Sequence, residues 1–271
     1  MLAQQVTLTA DQKAHFDTFG YLVMPGFLSR TEIAHYTDAF MDVYRREWGQ
    51  EEFDPKFAVQ RPGASGVRHQ IIPFFARDER FLPLLDHPGL NDLIEQLLGE
   101  DCLLMTPGEG FVAATDSIWH TDSRAPAGFT SLKVAFYLDP VGAGAGCLNV
   151  LPGSHQPDHS ARIRQALEAG AWGGVASPDV PTATPLPSQP GDMIVFNHQT
   201  WHSSFGGKPG RRSIMINYFQ HPTERWHANW ITGLLHASTK SWADRLFPEE
   251  ILKGASERRM RKIQKLLDMG F

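Results

Sequence analysis

Residues 117–123, SIWHTDS, set an imidazole and a carboxylate one residue apart. In an extended chain, residues i and i+2 point the same way, so His120 and Asp122 can reach one cation together. Two polar groups at the end of any strand have the same spacing, so the tripeptide alone decides little. The stretch PGDMIVFNHQTWHSSFGGKPGRRSIMINYF, residues 190–219, carries more weight. It reads as a strand ending in His198 and His202 on a shared face, a Gly-rich turn, and a strand that begins at Arg211. One of these histidines with His120 and Asp122 makes two imidazoles and a carboxylate. That set occupies one face of an octahedral ion and leaves three positions open, the arrangement of non-haem Fe(II) oxygenases. Structural zinc prefers thiolates in closed tetrahedra, which Cys102 and Cys147 are too far apart in sequence to supply.

These residues need elements to hold them. Residues 102 to about 220 are short β-rich runs punctuated by Gly, Pro and Asn, as in a barrel or sandwich. In SLKVAFYL, Leu132, Val134, Phe136 and Leu138 share one face; Ser131, Lys133, Ala135 and Tyr137 share the other. In RRSIMINYF, Arg212, Ile214, Ile216 and Tyr218 share a face. Arg211, Ser213, Met215 and Asn217 share the opposite one. Each strand therefore has an apolar side and a mixed polar side, as expected where a sheet lines a ligand-binding interior or faces water. Upstream, Thr9 and Gln12 form a capping-box start for a helix. The segment GYLVMPGF reads as a short strand. A helix is expected from about Ser29 to Trp48, with Ile33, Tyr36, Phe40 and Tyr44 on one stripe. Another helical segment covers DERFLPLLDHPGLNDLIEQLLGED, and the tail SERRMRKIQKLLDMGF reads as a basic amphipathic helix, a solvated surface helix packing on the barrel. The reading is one domain over residues 1–271: 1–100 mostly helical, 101–222 the β core, 223–271 a helical tail.

Bulk properties exclude several classes. The 271 residues are 42% hydrophobic and 20% charged with net charge −5, an ordinary globular balance that gives no electrostatic case for nucleic-acid binding. No apolar run approaches a membrane span. The start MLAQQVTLTADQ lacks the basic and apolar regions of a signal peptide, and two cysteines imply no disulfide framework. A cytoplasmic setting is the resulting expectation.

The ordered pieces FDTFGYLVMPGFLS, WHTD, GAGCLNVLPGSH, PGDMIVFNHQTWHSS and GRRSIMINY resemble the phytanoyl-CoA dioxygenase-like branch of the Fe(II)/2-oxoglutarate-dependent oxygenases. Residues after about 225 lie outside the resemblance. The resemblance implies a mainly β fold with flanking helices around a double-stranded β-helix (jelly-roll, cupin-like) core. It implies Fe(II) as the metal, with 2-oxoglutarate and O2 as cosubstrates. His120, Asp122 and His202 match its metal ligands, and the pattern H-x-S before an Arg selects His202 over His198, which becomes a pocket residue. Arg211 matches the Arg that receives the distal carboxylate, and periodicity also separates it from Arg212, expected to pack under the helices. Ser204 and Ser213 are the hydroxyl neighbours. Thr121 and Lys133 are further cosubstrate-side candidates, although Lys133 also reads as a snorkelling surface lysine. His155 reads as structural, and the GAGAG run at 142–146 as an inter-strand loop. The implied reaction oxidises an unactivated C–H bond, most simply by hydroxylation, and releases succinate and CO2. The carboxylate at Asp122 favours this over halogenation, because related halogenases carry Ala or Gly there.

The substrate side is placed in RPGASGVRHQIIPFFARD and HPTERWHANW. Arg68, Gln70, Phe74 and Trp226 lead the candidates, joined by His69, Phe75 and Trp230. No extended basic groove suits a CoA ester, so a small-molecule metabolite or natural-product intermediate is expected. The competing class is a non-enzymatic, cupin-like metal- or ligand-binding protein, and an intact His120, Asp122, His202 and Arg211 set argues against it. A zinc-dependent hydrolase would have no need of Arg211.

Overall fold

The computed structural model describes residues 5–48, 58–59, 68–113, 116–122, 125, 128–208, 210–242 and 245–271. The chain opens with α1 (Ala10–Phe19), β1 (Tyr21–Met24) and α2 (Arg30–Trp48). It continues through β2 (Ala58–Val59), β3 (Arg68–Ile71), α3 (Leu82–Leu85) and α4 (Pro88–Leu98). The core strands are β4 (Leu103–Ala113), β5 (Ser117–His120), β6 (Ser131–Tyr137) and β7 (Leu148–Val150). After α5 (Pro157–Glu168) come β8 (Thr184–Leu186), β9 (Met193–Asn197), β10 (His202–Ser204) and β11 (Arg211–Phe219). The helices α6 (Arg225–Trp242), α7 (Glu249–Leu252) and α8 (Glu257–Asp268) close the chain.

Among the described residues, the strands form two antiparallel sheets. One has the order β1-β9-β6-β11-β4-β3-β2 and the other β5-β10-β7-β8. This is the mainly β core with flanking helices that was expected, as two sheets rather than a closed barrel. Every residue of β6 is buried, because its two faces serve different cores. Leu132, Val134 and Phe136 pack outward with Ile214, Ile216 and Tyr218 against helical residues such as Phe40, Leu90 and Ile231. Ala135 and Tyr137 pack inward with Ile194 and Phe196 against Leu148, Val150 and Leu186 of the second sheet. The period-2 reading of both strands therefore holds, and the polar side faces the interior between the sheets.

The helical ends follow local chemistry. Thr9 Oγ1 accepts from Gln12 N at 3.1 Å while Gln12 Oε1 accepts from Thr9 N at 2.9 Å, completing the capping box. Gly20 then ends α1 at φ 82°, and a Cβ there would meet His155 and Thr200 at 2.5 Å. Glycine avoids both penalties.

Two expectations need correction. His198 and His202 do not share a strand: β9 stops at Asn197, and a turn carries the chain into β10 of the other sheet. Arg212 does not pack under helices; its guanidinium donates to Asp139 Oδ1 at 2.5 Å and Oδ2 at 3.1 Å, satisfying its charge at the end of β11. The tail helix α8 packs on the body of the protein as expected, and it buries part of its basic face as well: Arg259 and Lys262 are each 2% exposed. Lys262 pairs with Glu95 of α4, and Arg258 donates to Glu95 at 2.6 Å and Asp92 at 2.7 Å, so acidic residues on α4 draw the basic face inward.

Candidate active site

The site begins with strand register. In the β5–β10 pair, His120 and His202 are direct partners, and His202 also faces Val150 of β7. Directly opposed residues in an antiparallel pair project to one face, here the interior. Trp119 projects the other way, into a cluster with Leu151, Ile163 and Trp201 that seats α5 on the outer surface. Asp122 follows β5, fixed by its backbone N–H donating to His198 O at 2.9 Å.

The three side chains converge. Asp122 Oδ1 is 3.6 Å from His120 Nε2, and Asp122 Oδ2 is 3.5 Å from His202 Nε2. The candidate ligand atoms all lie within 4.8 Å of one another, and no fourth His, Cys, Asp or Glu among the described residues joins them. Each imidazole is oriented from behind. His120 Nδ1 hydrogen-bonds Ile118 O at 2.7 Å, and His202 Nδ1 hydrogen-bonds Thr200 O at 2.8 Å. A carbonyl only accepts, so both rings carry their proton on Nδ1, which leaves the Nε2 lone pairs for a cation at the position they share with Asp122.

This donor set fits a divalent metal. Asp122 Oδ2 is buried between His202 Nε2 at 3.5 Å and the Lys133 ammonium at 2.7 Å, so this carboxylate oxygen already stands in a setting that favours positive charge. Burial pushes the His202 pKa down to about 3, with the charge of His120 acting the same way, so His202 remains neutral and ligand-competent. Burial opposes ionisation of Asp122, but the Lys133 ammonium leads the neighbours that hold its carboxyl well below the usual range. Two imidazoles and one carboxylate without a fourth protein ligand make an open site.

Lys133 is not a snorkelling surface residue. It is 9% exposed, and its Nζ lies 2.7 Å from Asp122 Oδ2. The inner rung containing Lys133 runs through Asn217 to Thr106 by strand register. Asn217 Oδ1 is 2.9 Å from His198 Nε2, and Asn217 Nδ2 donates to Thr106 Oγ1 at 2.9 Å and to Glu109. His198 is therefore a buried ring held by Asn217 and outside the ligand cluster, its pKa lowered to about 4 by burial first and then by the charge of Lys133. Thr106 and Glu109 carried no signal in the sequence. Two register shifts in the β4–β11 pairing break the alternation that would have assigned them to the inner face.

Arg211 lies elsewhere on the inner face. Its Nη1 donates to Ser204 Oγ at 2.7 Å and to Gly146 O, and its guanidinium sits 5.9 Å above the Tyr137 ring. Ser204 Oγ donates in turn to Gly146 O at 3.0 Å. Gly146 has φ 86°, and a Cβ on it would fall 2.1 Å from Arg211 Nη1. The Gly-rich loop thus cradles a guanidinium rather than a phosphate, a role only the fold reveals. Ser213 is buried on the same face. Thr121, between the ligands, lines a cleft of about 440 Å³ with His155, Ser160, Arg164 and Gln199.

The substrate-side candidates divide. Phe74 is fully buried, packed on Phe40 at 5.0 Å and Phe81 at 4.9 Å between ring centroids, so it belongs to the helical core and not to a pocket. Phe75 is likewise fully buried, stacked on Phe81. Trp226 is 43% exposed on α6 with its ring 3.8 Å from that of His227, and Trp230 packs on Phe129. Gln70 pairs in register with Phe111, the partner of Ser213, which sets it on the inner face. Arg68 pairs with Ala113, the partner of Arg211; its side chain lies outside the described residues.

Residues 16–213 match the family described as Phytanoyl-CoA dioxygenase (PhyH). The chain belongs to the phytanoyl-CoA dioxygenase family. It is thereby a 2-oxoglutarate/Fe(II) oxygenase, of a family that acts on small molecules. Among similar proteins of the family's chemistry is Dioxygenase af480 of Aspergillus fumigatus, 23% identical over 252 residues, covering 86% of this chain and 74% of its own. Among solved structures, HygX from Streptomyces hygroscopicus with iron bound superposes with TM-score 0.61 at 18% identity, over 80% of this chain and 88% of its own. HygX has also been solved with nickel and 2-oxoglutarate bound. The non-heme alpha ketoglutarate dependent carbocyclase SnoK from nogalamycin biosynthesis superposes with TM-score 0.60 at 20% identity, over 79% and 84%. At these identities the superpositions establish the shared fold. No described helix is long and apolar enough to cross a membrane.

Proposed function

We propose that this oxygenase hydroxylates an unactivated C–H bond of a small metabolite or natural-product intermediate, converting 2-oxoglutarate to succinate and CO2. In this reading His120, Asp122 and His202 hold Fe(II). The observation that carries it is the convergence of exactly these three ligand atoms within 4.8 Å, with no fourth protein ligand among the described residues. Such a face leaves room for a chelating keto acid and for dioxygen. Bound Fe(II) would supply the activation of dioxygen coupled to oxidative decarboxylation.

The chain's own residues supply the rest. Arg211 presents a planar guanidinium to the distal carboxylate of 2-oxoglutarate, with Ser204 holding it in place and Ser213 beside it. Tyr137, Phe196 and Ile194 wall the interior and keep water from the reacting atoms. The ionised Asp122 occupies the position a halide would need, which favours hydroxylation. Arg68 and Gln70 remain substrate-side candidates through their register with the Arg211 face.

The test is succinate release by iron-loaded protein across a panel of small metabolites. Substrate-stimulated succinate, lost in His202→Ala, is the expected result. Iron-loaded protein that binds 2-oxoglutarate but hydroxylates nothing in any panel that stimulates succinate would move the outcome to another oxidation.

A further inference from the structure

Lys133 is the only cation in ion-pair contact with Asp122 among the described residues apart from the two candidate ligand histidines, and Asp122 is its only ion-pair partner. Lys133 is buried and Asp122 nearly so, with side-chain exposures of 11% each. The ammonium stands 2.7 Å from Oδ2, the same oxygen that lies 3.5 Å from His202 Nε2 and accepts no hydrogen bond. Across the sheet the neighbours of Lys133 are Asn217 and Phe196, and the next inward residue of its strand, Ala135, pairs with Ile194, so the lysine sits among groups of which none is anionic. Asn217, the nearest polar neighbour by register, is already committed to Thr106, Glu109 and His198.

A buried ammonium beside a metal-binding carboxylate does two opposed things. It compensates the carboxylate while no metal is present, removing the cost of an isolated buried charge. It then repels a divalent ion that arrives at the same carboxylate, and at a few ångströms in a desolvated site that repulsion is large. An anion entering beside the metal reverses the sign, because its negative charge offsets both cations. We infer that Lys133 is an internal counter-ion that competes with the metal for Asp122 and makes tight metal binding conditional on an anionic co-ligand. The inference rests on the oxygenase reading, with 2-oxoglutarate as that dianion. Lys133 acts through Asp122 and not as a group that reacts. The consequence is a site that exchanges metal readily when the keto acid is scarce and retains it when the keto acid is abundant, which is a reciprocal linkage between the two ligands.

The experiment measures Mn(II) dissociation constants anaerobically by calorimetry, with and without saturating 2-oxoglutarate, in wild type, Lys133→Met, Lys133→Gln and Lys133→Arg. Wild type should bind Mn(II) much more tightly with 2-oxoglutarate. Lys133→Met and Lys133→Gln should bind Mn(II) alone roughly ten-fold or more tighter than wild type, and the tightening by 2-oxoglutarate should shrink correspondingly. Lys133→Arg keeps the charge and should behave as wild type. Thermal melting identifies any variant that fails to fold, and either neutral variant suffices. Weaker or unchanged Mn(II) binding in a folded neutral variant would overturn the inference, since it would make Lys133 a support for Asp122 instead of a competitor. Wild type that couples Mn(II) to 2-oxoglutarate while the neutral variants do the same refutes the role of Lys133 alone. Wild type that binds neither ligand refutes the oxygenase reading itself.

Discussion

His120 and His202 face each other across the β5–β10 pair, and each imidazole uses Nδ1 to bond the carbonyl two residues before it, Ile118 O at 2.7 Å and Thr200 O at 2.8 Å. The same local device on two antiparallel strands aims both Nε2 atoms at one carboxylate. His120→Ala, Asp122→Ala and His202→Ala should therefore each lose divalent-metal affinity beyond the roughly 10–100-fold that loss of an outer partner costs, while circular dichroism remains native. His198→Ala, which removes a ring bonded to Asn217, should retain metal within that range. Calorimetric titration with Mn(II) distinguishes the two classes, and a metal-binding His202→Ala with a metal-free His198→Ala would reverse the assignment.

Arg211→Ala should weaken 2-oxoglutarate by several kcal/mol, because it strips a buried carboxylate of its charge partner and leaves Ser204 without its donor. Arg212→Ala should leave 2-oxoglutarate affinity unchanged and cost about 1 kcal/mol of stability through the partly exposed Asp139 pair. Anaerobic titration of 2-oxoglutarate into metal-loaded protein, beside urea unfolding, reads both effects. Equal cosubstrate affinity in wild type and Arg211→Ala would contradict the role of Arg211.

The histidine pKa values set a pH dependence of known sign. His198 titrates at about 4 in the folded protein against 6.5 for the free side chain, and His202 at about 3. Between these values and pH 6.5 the unfolded chain binds protons that the folded chain does not, so stability falls as pH falls. The loss approaches about 1.4 kcal/mol per pH unit for each histidine, and nothing is gained above pH 6.5. Urea unfolding of metal-free protein at pH 7 and pH 5 should show this loss, and His198→Gln should flatten it by one histidine's share. A pH-independent unfolding free energy in that interval would contradict the buried neutral rings.

Phe74→Ala should cost about 3–5 kcal/mol of stability, as for a large core ring, and leave cosubstrate binding intact in the protein that remains folded. A denaturant melt checks it; native stability with altered substrate selectivity would return Phe74 to the pocket.

Much of this site was legible before the fold was known, for definable reasons. The i, i+2 spacing of His120 and Asp122 and the alternation of β6 and β11 are local patterns; they separated the two faces of each strand, while only the facing second sheet shows that the polar face is interior. What escaped was non-local. Lys133 looked like a surface residue because one strand cannot show that a second sheet covers it; the 2.7 Å contact with Asp122 exists only once the sheets face each other. Gly146 lay in a featureless glycine run until Arg211 was found against it. Glu109 and Thr106 were hidden because register shifts opposite Asn217 interrupt the period of β4. Phe74 misled because aromatic residues near a site segment serve a core as well as a pocket, and burial by α2 decides between them.

The central claim is that one chain holds a metal and a keto acid on that metal at the same time. Anaerobic addition of Fe(II) and 2-oxoglutarate to the protein tests it directly by visible absorption. The account predicts a weak metal-to-ligand charge-transfer band that needs both components, vanishes in His202→Ala and requires far more 2-oxoglutarate in Arg211→Ala. Iron-loaded wild type that gives no such band and takes up no 2-oxoglutarate would contradict it.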